Sequence, residues 1–325
     1  MSRALRLGLL ALLTAALFAL SVMAGKQWIP LDVWMGHDPR WAIIAELRLP
    51  RALLGVLLGA ALGLSGAVLQ GYLRNPLADP TVIGVSSCAA LGAVASIVLG
   101  AGSGIAGLGQ FGWAMAGAGG AMALLAMLTA RAGTPVVFVL AGTVLASLAG
   151  ALTAFLISTA PNPYAVAEAI DWLMGALTDR GPDDVLMAAP FIGAGVLILI
   201  FTGPGLDALA LGDDAARSLG VNLGRLRWLV VLGTGLAVGA GVAVTGVVGF
   251  VGLIVPHLLR PVFGARPSAL LVPSALGGAA LTLAADSLCR LVPGAGEVRL
   301  GVAMALIGAP FFLALLFREG ARQWR

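Results

Sequence analysis

The sequence predicts an all-α, polytopic membrane protein, with about ten transmembrane helices in a single domain over residues 1–325. Three observations carry that prediction. Of the 325 residues, 60% are hydrophobic and only 10% charged, where soluble domains carry roughly 25% charged residues. Apolar runs of about twenty residues recur along the whole length, each long enough to cross a hydrocarbon core ~30 Å thick. Lipid cannot satisfy backbone polar groups, so such runs are helical. Glycine, finally, accounts for 46 residues. An interior glycine costs a soluble helix roughly 1 kcal/mol against alanine, whereas in a membrane small residues let helix backbones approach closely. The composition therefore specifies a tightly packed bundle. Cys88 and Cys289 both lie in apolar context and read as small core residues, not as a disulfide framework or a metal site.

In chain order, the first span covers residues 4–24 behind Arg3 and Arg6. A signal peptide is the competing reading, but the apolar run is long for one and no small-x-small cleavage site precedes a soluble domain. Residues 25–46 are amphipathic, with Trp28, Trp34 and Trp41 placed to anchor at the interface. The stretch Leu47–Leu91 organises the rest of the chain: Arg48-Leu49-Pro50-Arg51, a Gly-rich apolar run to Gln70, the polar break Arg74-Asn75-Pro76-Leu77-Ala78-Asp79-Pro80, then a second apolar run. Spans are predicted at 51–71, 81–101, 108–130, 136–158 and 185–203, then at 228–247, 249–264, 269–289 and 301–317. Residues 160–184 read as a loop with a short surface helix around Trp172-Leu173-Met174, and 204–227 is the longest polar stretch.

Charge placement orients the bundle. With a cytoplasmic N-terminus, twelve of the 19 basic residues fall on the cytoplasmic side and seven on the other, which supports both termini inside. Arg48, Arg51 and Arg290 run against that rule, so they have a task other than topology. The formal net charge of +4 reports topology and gives no sign of nucleic-acid binding. Gly59 to Val68 also echoes Gly235 to Gly246, on helices that would run in opposite directions, as an inverted repeat requires.

Several chemistries are excluded. His37 and His257 are the only histidines, so no Ser/His/Asp set and no intramembrane metal cluster can be assembled. The only lysine is Lys26, so there is no Walker-type loop and the chain cannot bind ATP by that route. The spans hold almost no ionisable residue near mid-membrane, which argues against an ion-driven pump. No catalytic residue and no cofactor is assigned.

The positive candidates each have a plainer reading. In Asp207–Val221, Gly212 breaks the chain, Asp213 and Asp214 open a short helix at its positive dipole end, and Gly220 closes it. This is either a docking helix for a partner or a connecting turn. Arg48 and Arg51 bracket a proline where a span begins, which places both guanidinium groups at the outer surface, and Asp286 and Arg290 are spaced for an intrahelical pair. These arginines either snorkel at helix ends or form a docking site for an acidic partner. Asn75-Pro76-Leu77 follows a non-helical path at the inner end of a span and forms either a tight turn or the narrowing of a pore. Pro256-His257 poses the same choice.

Together these pieces resemble the permease subunits of the ABC importers for iron-siderophore, haem and cobalamin. The resemblance runs through Arg48-Leu49-Pro50-Arg51, Ser65-Gly66 with Gln70, Asn75-Pro76-Leu77-Ala78-Asp79-Pro80 and Gly84-Val85-Ser86. It continues through Leu211-Gly212, Ala216, Ser218-Leu219-Gly220, the stretch Gly249 to His257, Ala285-Asp286 with Arg290, and Gly308 to Phe312, and so covers nearly the whole chain in order. It implies a ten-helix subunit that works as a dimer, with the path between the copies and two cytoplasmic ATPase subunits, holding ATP and Mg, as the motor. It also implies a periplasmic substrate-binding protein docking on Arg48, Arg51 and Arg290, and a gate at Asn75, Pro76 and Leu77. ATPase coupling falls on Leu211, Gly212, Asp213, Asp214, Ala216, Arg217, Ser218, Leu219 and Gly220. The location implied is the bacterial inner membrane.

Two positions depart from the pattern: Arg299 stands where a proline is usual, and Cys88 where a glycine is usual. The resulting expectation is import of an iron-siderophore, cobalamin or haem type ligand by ATP-driven alternating access, with Ala24 to Ile29 looking somewhat like cobalamin permeases. A secondary carrier or channel not coupled to ATP is the rival. Reversing charge at Arg48 and Arg51 together is expected to weaken docking while the permease still folds.

Overall fold

The computed structural model describes residues 2–25, 40–100, 109–132, 135–292 and 296–323; Lys26, Trp28, Trp34 and His37 lie outside them. The described residues form thirteen α-helices: α1 (Arg3–Met23), α2 (Leu49–Leu73), α3 (Val85–Val98), α4 (Gly109–Ala132), α5 (Pro135–Ser158), α6 (Pro163–Leu173), α7 (Pro182–Ile200), α8 (Gly203–Leu209), α9 (Asp213–Ser218), α10 (Leu223–Thr245), α11 (Val251–Phe263), α12 (Pro267–Leu291) and α13 (Leu300–Gln323). Seven helices are long and apolar enough to cross a membrane, and the remaining predicted spans are occupied by the shorter α3 and α11 and by the apolar stretch Leu300–Leu315 of α13.

The central helix α2 starts earlier than its composition indicates. Its path is entered through a π-helical turn at Ile43–Arg48, where the Leu49 N–H donates to the Ile44 carbonyl. Pro50 has no N–H, and its ring crowds the carbonyl four residues back; the wider turn just before it lets the helix continue. Along α2, Gly59, Gly63 and Gly66 form a smooth strip. A Cβ on Gly59 would stand 2.3 Å from the Gly278 carbonyl, on Gly63 2.1 Å from the Ser274 carbonyl, and on Gly66 2.0 Å from the Gly252 carbonyl. Backbones of α12 and α11 thus lie directly on α2, the close approach that small residues permit.

The echo between α2 and α10 has a structural counterpart. The Arg227 Nε donates to the Tyr72 hydroxyl at 3.2 Å, so the start of α10 meets the end of α2 and the two run antiparallel. Each is followed by a short helix, α3 of 14 residues and α11 of 13. Helices of that length span only ~20 Å. Each is preceded by a break in the α-helix and opens on a left-handed residue, Gly84 (φ 79°) and Phe250 (φ 67°).

One local expectation changes, and the Cys88 position can be placed. The helix within residues 160–184, α6, is capped by Asn162, whose Oδ1 accepts from the Ala165 N–H at 2.8 Å. It is no purely surface helix: Ala169 and Trp172 are buried, while Tyr164 faces out. At the α3–α4 crossing, a Cβ on Gly117 would lie 2.1 Å from the Cys88 carbonyl and one on Gly92 2.1 Å from the Trp113 carbonyl. Close approach there depends on Gly92 and Gly117, and the half-buried Cys88 side chain does not obstruct it.

The two ends separate the arginines as the charge count predicts. At one end Arg3 donates to the Ala269 carbonyl and Arg6 to the Val262 carbonyl, near Arg74, Arg227 and Arg266. At the other end lie Arg48, Arg51, Arg290 and Arg299.

Candidate functional site

The arginine end holds the first cluster. Arg48, Arg51 and Arg290 converge on one cavity of ≈ 320 Å³ with Glu297 and Thr178. Their guanidinium groups are not displayed at the surface as expected; all three residues are at most 9% exposed. Arg51 Nη2 donates to Asp286 Oδ1 at 2.9 Å and to Glu297 Oε2 at 2.8 Å. Arg290 Nη2 donates to Asp286 Oδ2 at 2.7 Å and to Ser21 Oγ at 2.6 Å, and its Nη1 donates to the Ser21 carbonyl at 2.8 Å. Arg48 Nη1 donates to the Met23 carbonyl at 2.7 Å. A desolvated guanidinium must be paired and hydrogen-bonded. Here the partners are two carboxylates and the last-turn carbonyls of α1, which have no acceptor use within their own helix and sit at its negative dipole end.

The burial changes what the Arg48→Glu, Arg51→Glu double variant would report: a carboxylate at position 51 would stand against Asp286 and Glu297, so the variant is expected to lose rim stability as well as docking.

Glu297 opens the Glu297-Val298-Arg299-Leu300-Gly301 stretch, but its contacts with Arg51 and with Thr178, whose Oγ1 donates to Glu297 Oε2 at 3.3 Å, join distant parts of the chain and give it no site role from spacing. Burial pushes the Glu297 carboxyl up, but the hydrogen bond and charge of Arg51, with Thr178, outweigh it and hold the carboxyl below its usual range. A carboxyl depressed on folding contributes stability above its unfolded pKa of ~4.3 and loses it as pH falls through the lower folded value. The thermal midpoint is therefore expected to drop on acidification below about pH 4. Glu297→Gln should be less stable at neutral pH and flatter over that acid range, as a melting series against pH would show.

Arg299 replaces the stiffness of a proline with a tether, Nη2 to Asp171 Oδ2 at 2.6 Å. The start of α13 is further fixed by the Gly301 N–H donating to the Gly175 carbonyl at 3.0 Å.

At the opposite end, α2 closes on Arg74 in a left-handed conformation (φ 50°). Asn75 Oδ1 then accepts from the Leu77 N–H at 2.9 Å, turning the chain inward. Leu77 reaches a cavity of ≈ 410 Å³ whose walls include Phe250, Leu253, Ala305 and Phe312. Asn75 is exposed and Pro76 and Leu77 are half-buried. Asp79, 6% exposed, ends the turn. Its Oδ1 accepts from the Thr81 N–H at 2.9 Å and from the Thr81 hydroxyl at 2.7 Å, capping the 3₁₀ turn Pro80–Ile83. A Cβ on Gly252 would lie 3.2 Å from Asp79 Oδ2, so the carboxylate also stands at the start of α11, whose own N-cap position offers no side-chain cap. Asp79→Ala is expected to cost about 1–2 kcal/mol through the lost cap, read as a lower melting midpoint. Gln70 ties the same region, donating to the Gly252 carbonyl at 3.2 Å and accepting from Arg260 at 2.8 Å. His257 packs edge-on to Phe311, centroids 5.9 Å apart.

The polar stretch 204–227 folds as the helix pair α8 and α9. Gly212 (φ 108°) breaks between them and Gly220 (φ 83°) ends α9. There the Val221 N–H donates to the Ala216 carbonyl and the Gly220 N–H to the Arg217 carbonyl, at 3.0 and 2.9 Å, a Schellman closure. Ala216 is buried and anchors α9, while Leu211, Asp214, Arg217, Ser218 and Leu219 are exposed. Two carboxylates hold the pair to the bundle. Asp207 accepts from the Ser268 N–H at 2.9 Å, the Ser268 hydroxyl at 2.6 Å and Arg266 Nε at 2.6 Å, capping α12 from outside. Asp213 Oδ1 accepts from Arg74 Nη2 at 2.7 Å.

Seven helices long and apolar enough to cross a membrane, three shorter apolar stretches and a strip of close glycine contacts define a polytopic membrane protein. The FecCD transport family matches residues 12–318, and the chain belongs to that family. It is 41% identical over 276 residues to the cobalamin import system permease protein BtuC of Halobacterium salinarum, covering 84% of this chain and 73% of the relative. It is 37% identical over 289 residues to the Fe(3+) dicitrate transport system permease protein FecD of Escherichia coli, covering 89% of each. A solved inward-facing structure of a metal-chelate type ABC transporter superimposes with a TM-score of 0.87 at 32% identity, covering 96% of this chain and 98% of that one.

Proposed function

We propose that the chain is one of two identical permease subunits of an ATP-driven importer, passing a bulky metal chelate or corrinoid (an iron-siderophore, cobalamin or haem type ligand) across a bacterial plasma membrane. Both termini lie in the cytoplasm, and the path runs between the copies past the apolar cavity at Leu77, Phe250 and Phe312. Two separate ATPase subunits, which hold ATP and Mg, grip the α8–α9 pair, and a binding protein on the outer side delivers the ligand. Its carboxylates would exchange with Glu297 and Asp286 for the guanidinium groups of Arg51 and Arg290. Nothing covalent happens to the ligand. The cobalamin and ferric-dicitrate relatives support the ligand class.

The observation that carries the reading is the α8–α9 pair. It is capped at its end, pinned through Asp207 and Asp213, and yet presents Leu211 and Leu219 at 69% and 64% exposure. A pair so braced, with apolar tips outward, fits a groove on a partner. Affinity purification of the tagged chain from its native membrane in mild detergent, followed by mass spectrometry, is expected to recover an ATPase. A clean preparation without one, with ligand uptake that persists without ATP, would establish the carrier instead. Leu211→Asp with Leu219→Asp should weaken ATPase binding by about tenfold or more while leaving the bundle folded, since both side chains are exposed.

A further inference from the structure

At the cytoplasmic end of α2, one arginine stands between the two parts that any coupled mechanism has to join. Arg74 is the last-cap residue of α2 and immediately precedes Asn75-Pro76-Leu77. Its side chain reaches Asp213, 139 residues away and the first residue of α9, at 2.7 Å. The backbone at Arg74 is left-handed (φ 50°), a conformation that costs any residue with a Cβ and costs glycine nothing. A strained residue of this kind points to use of its side chain. The two side chains are 39% and 38% exposed, so the ion pair adds little to global stability and acts as a local tether of α9. Its worth lies in what it connects. Asp207 fastens α8 to the start of α12, whereas Asp213 fastens α9 to the turn whose Leu77 lines the ≈ 410 Å³ cavity.

We propose that Arg74 is the positioning residue that passes movement of α9 to the gate turn, a strut between the ATPase-facing helix and Leu77. This rests on the function proposed above. As α9 shifts, the carboxylate of Asp213 draws the guanidinium with it. The rotation falls on the hinge between α2 and Asn75, because α2 itself is fixed by its glycine contacts along α12 and α11.

The test uses the full complex in proteoliposomes, with Cys88→Ala and Cys289→Ala as background and Leu77→Cys as the probe, labelled by a membrane-impermeant maleimide. Addition of ATP, Mg and vanadate is expected to change the labelling rate by about tenfold, within the ~5–150-fold range of coupled sites. Arg74→Gly relieves the left-handed strain, so it should melt no lower than the parent and still bind and hydrolyse with its ATPase. Its labelling rate should nevertheless become indifferent to nucleotide, within about twofold. Arg74→Lys should restore most of the response. Arg74→Asp alone should abolish it, and Arg74→Asp with Asp213→Arg should recover it. Equal responses in Arg74→Gly and the parent, with the ATPase bound in both, would overturn the strut and leave the proposed function standing. Failure of the parent to bind any ATPase would overturn the proposed function and the strut with it.

Discussion

Gly66→Ala is expected to prevent assembly of the bundle. The added Cβ would stand 2.0, 2.4 and 2.5 Å from the carbonyl oxygen, Cα and carbonyl carbon of Gly252. All three are backbone atoms, so no side chain can swing away. The contact opens only if α11 moves off α2, and that movement carries Asp79, Gln70 and the start of the short helix with it. Overpacking a close-packed core costs typically 1–3 kcal/mol when side chains can give, and more when they cannot. The expected outcome is aggregated or degraded protein, seen as loss of the monodisperse peak by fluorescence-detected size exclusion. Gly120→Ala is the control: nothing lies within 4 Å of a Cβ there. In the middle of α4 that exchange should gain up to ~1 kcal/mol of helix propensity. Equal behaviour of the two variants would show that α2 and α11 do not meet at Gly66.

Asp286→Leu is expected to have the next largest effect. Its carboxylate, on a side chain 2% exposed, bridges Arg51 and Arg290. Removing one member of a buried pair leaves uncompensated charge and costs about 3–5 kcal/mol. Arg51 keeps Glu297 at 2.8 Å, so Arg290 bears most of the loss. The double variant Asp286→Leu, Arg290→Met should therefore melt well above the single, because replacing a buried pair with apolar side chains is often neutral. A single variant that melts with the parent would mean that the rim is open to water and the arginines are solvated. In that case they are free to meet a docking partner directly.

Much of the architecture was legible in the residue string. Seven of the ten predicted spans form helices long and apolar enough to cross, as apolar run length requires, whereas α3 and α11 are shorter than their apolar runs. The α9 helix and its ends were readable from Gly212, the Asp213-Asp214 pair and Gly220, since caps are local chemistry. The segregation of arginines between the two ends followed from their positions alone. The Asp286–Arg290 pair was readable too, four residues apart on one helix.

The tertiary structure decided what local pattern cannot reach. Pro50 marks a helix start by composition, but the π-helical turn before it carries the helix back to Ile43. Arg48, Arg51 and Arg290 read as surface charges until α1 and α12 close around them, because the Met23 carbonyl for Arg48, Asp286 and Glu297 for Arg51, and Ser21 for Arg290 are not local in the chain. The reach of Arg74 to Asp213 spans 139 residues and leaves no trace in spacing. Run length, capping and helix-face spacing act over a few residues, so a sequence states them outright. Whether a charge is buried, and which opposite charge meets it, depends on which helices pack together, and here glycine contacts between distant backbones decided that.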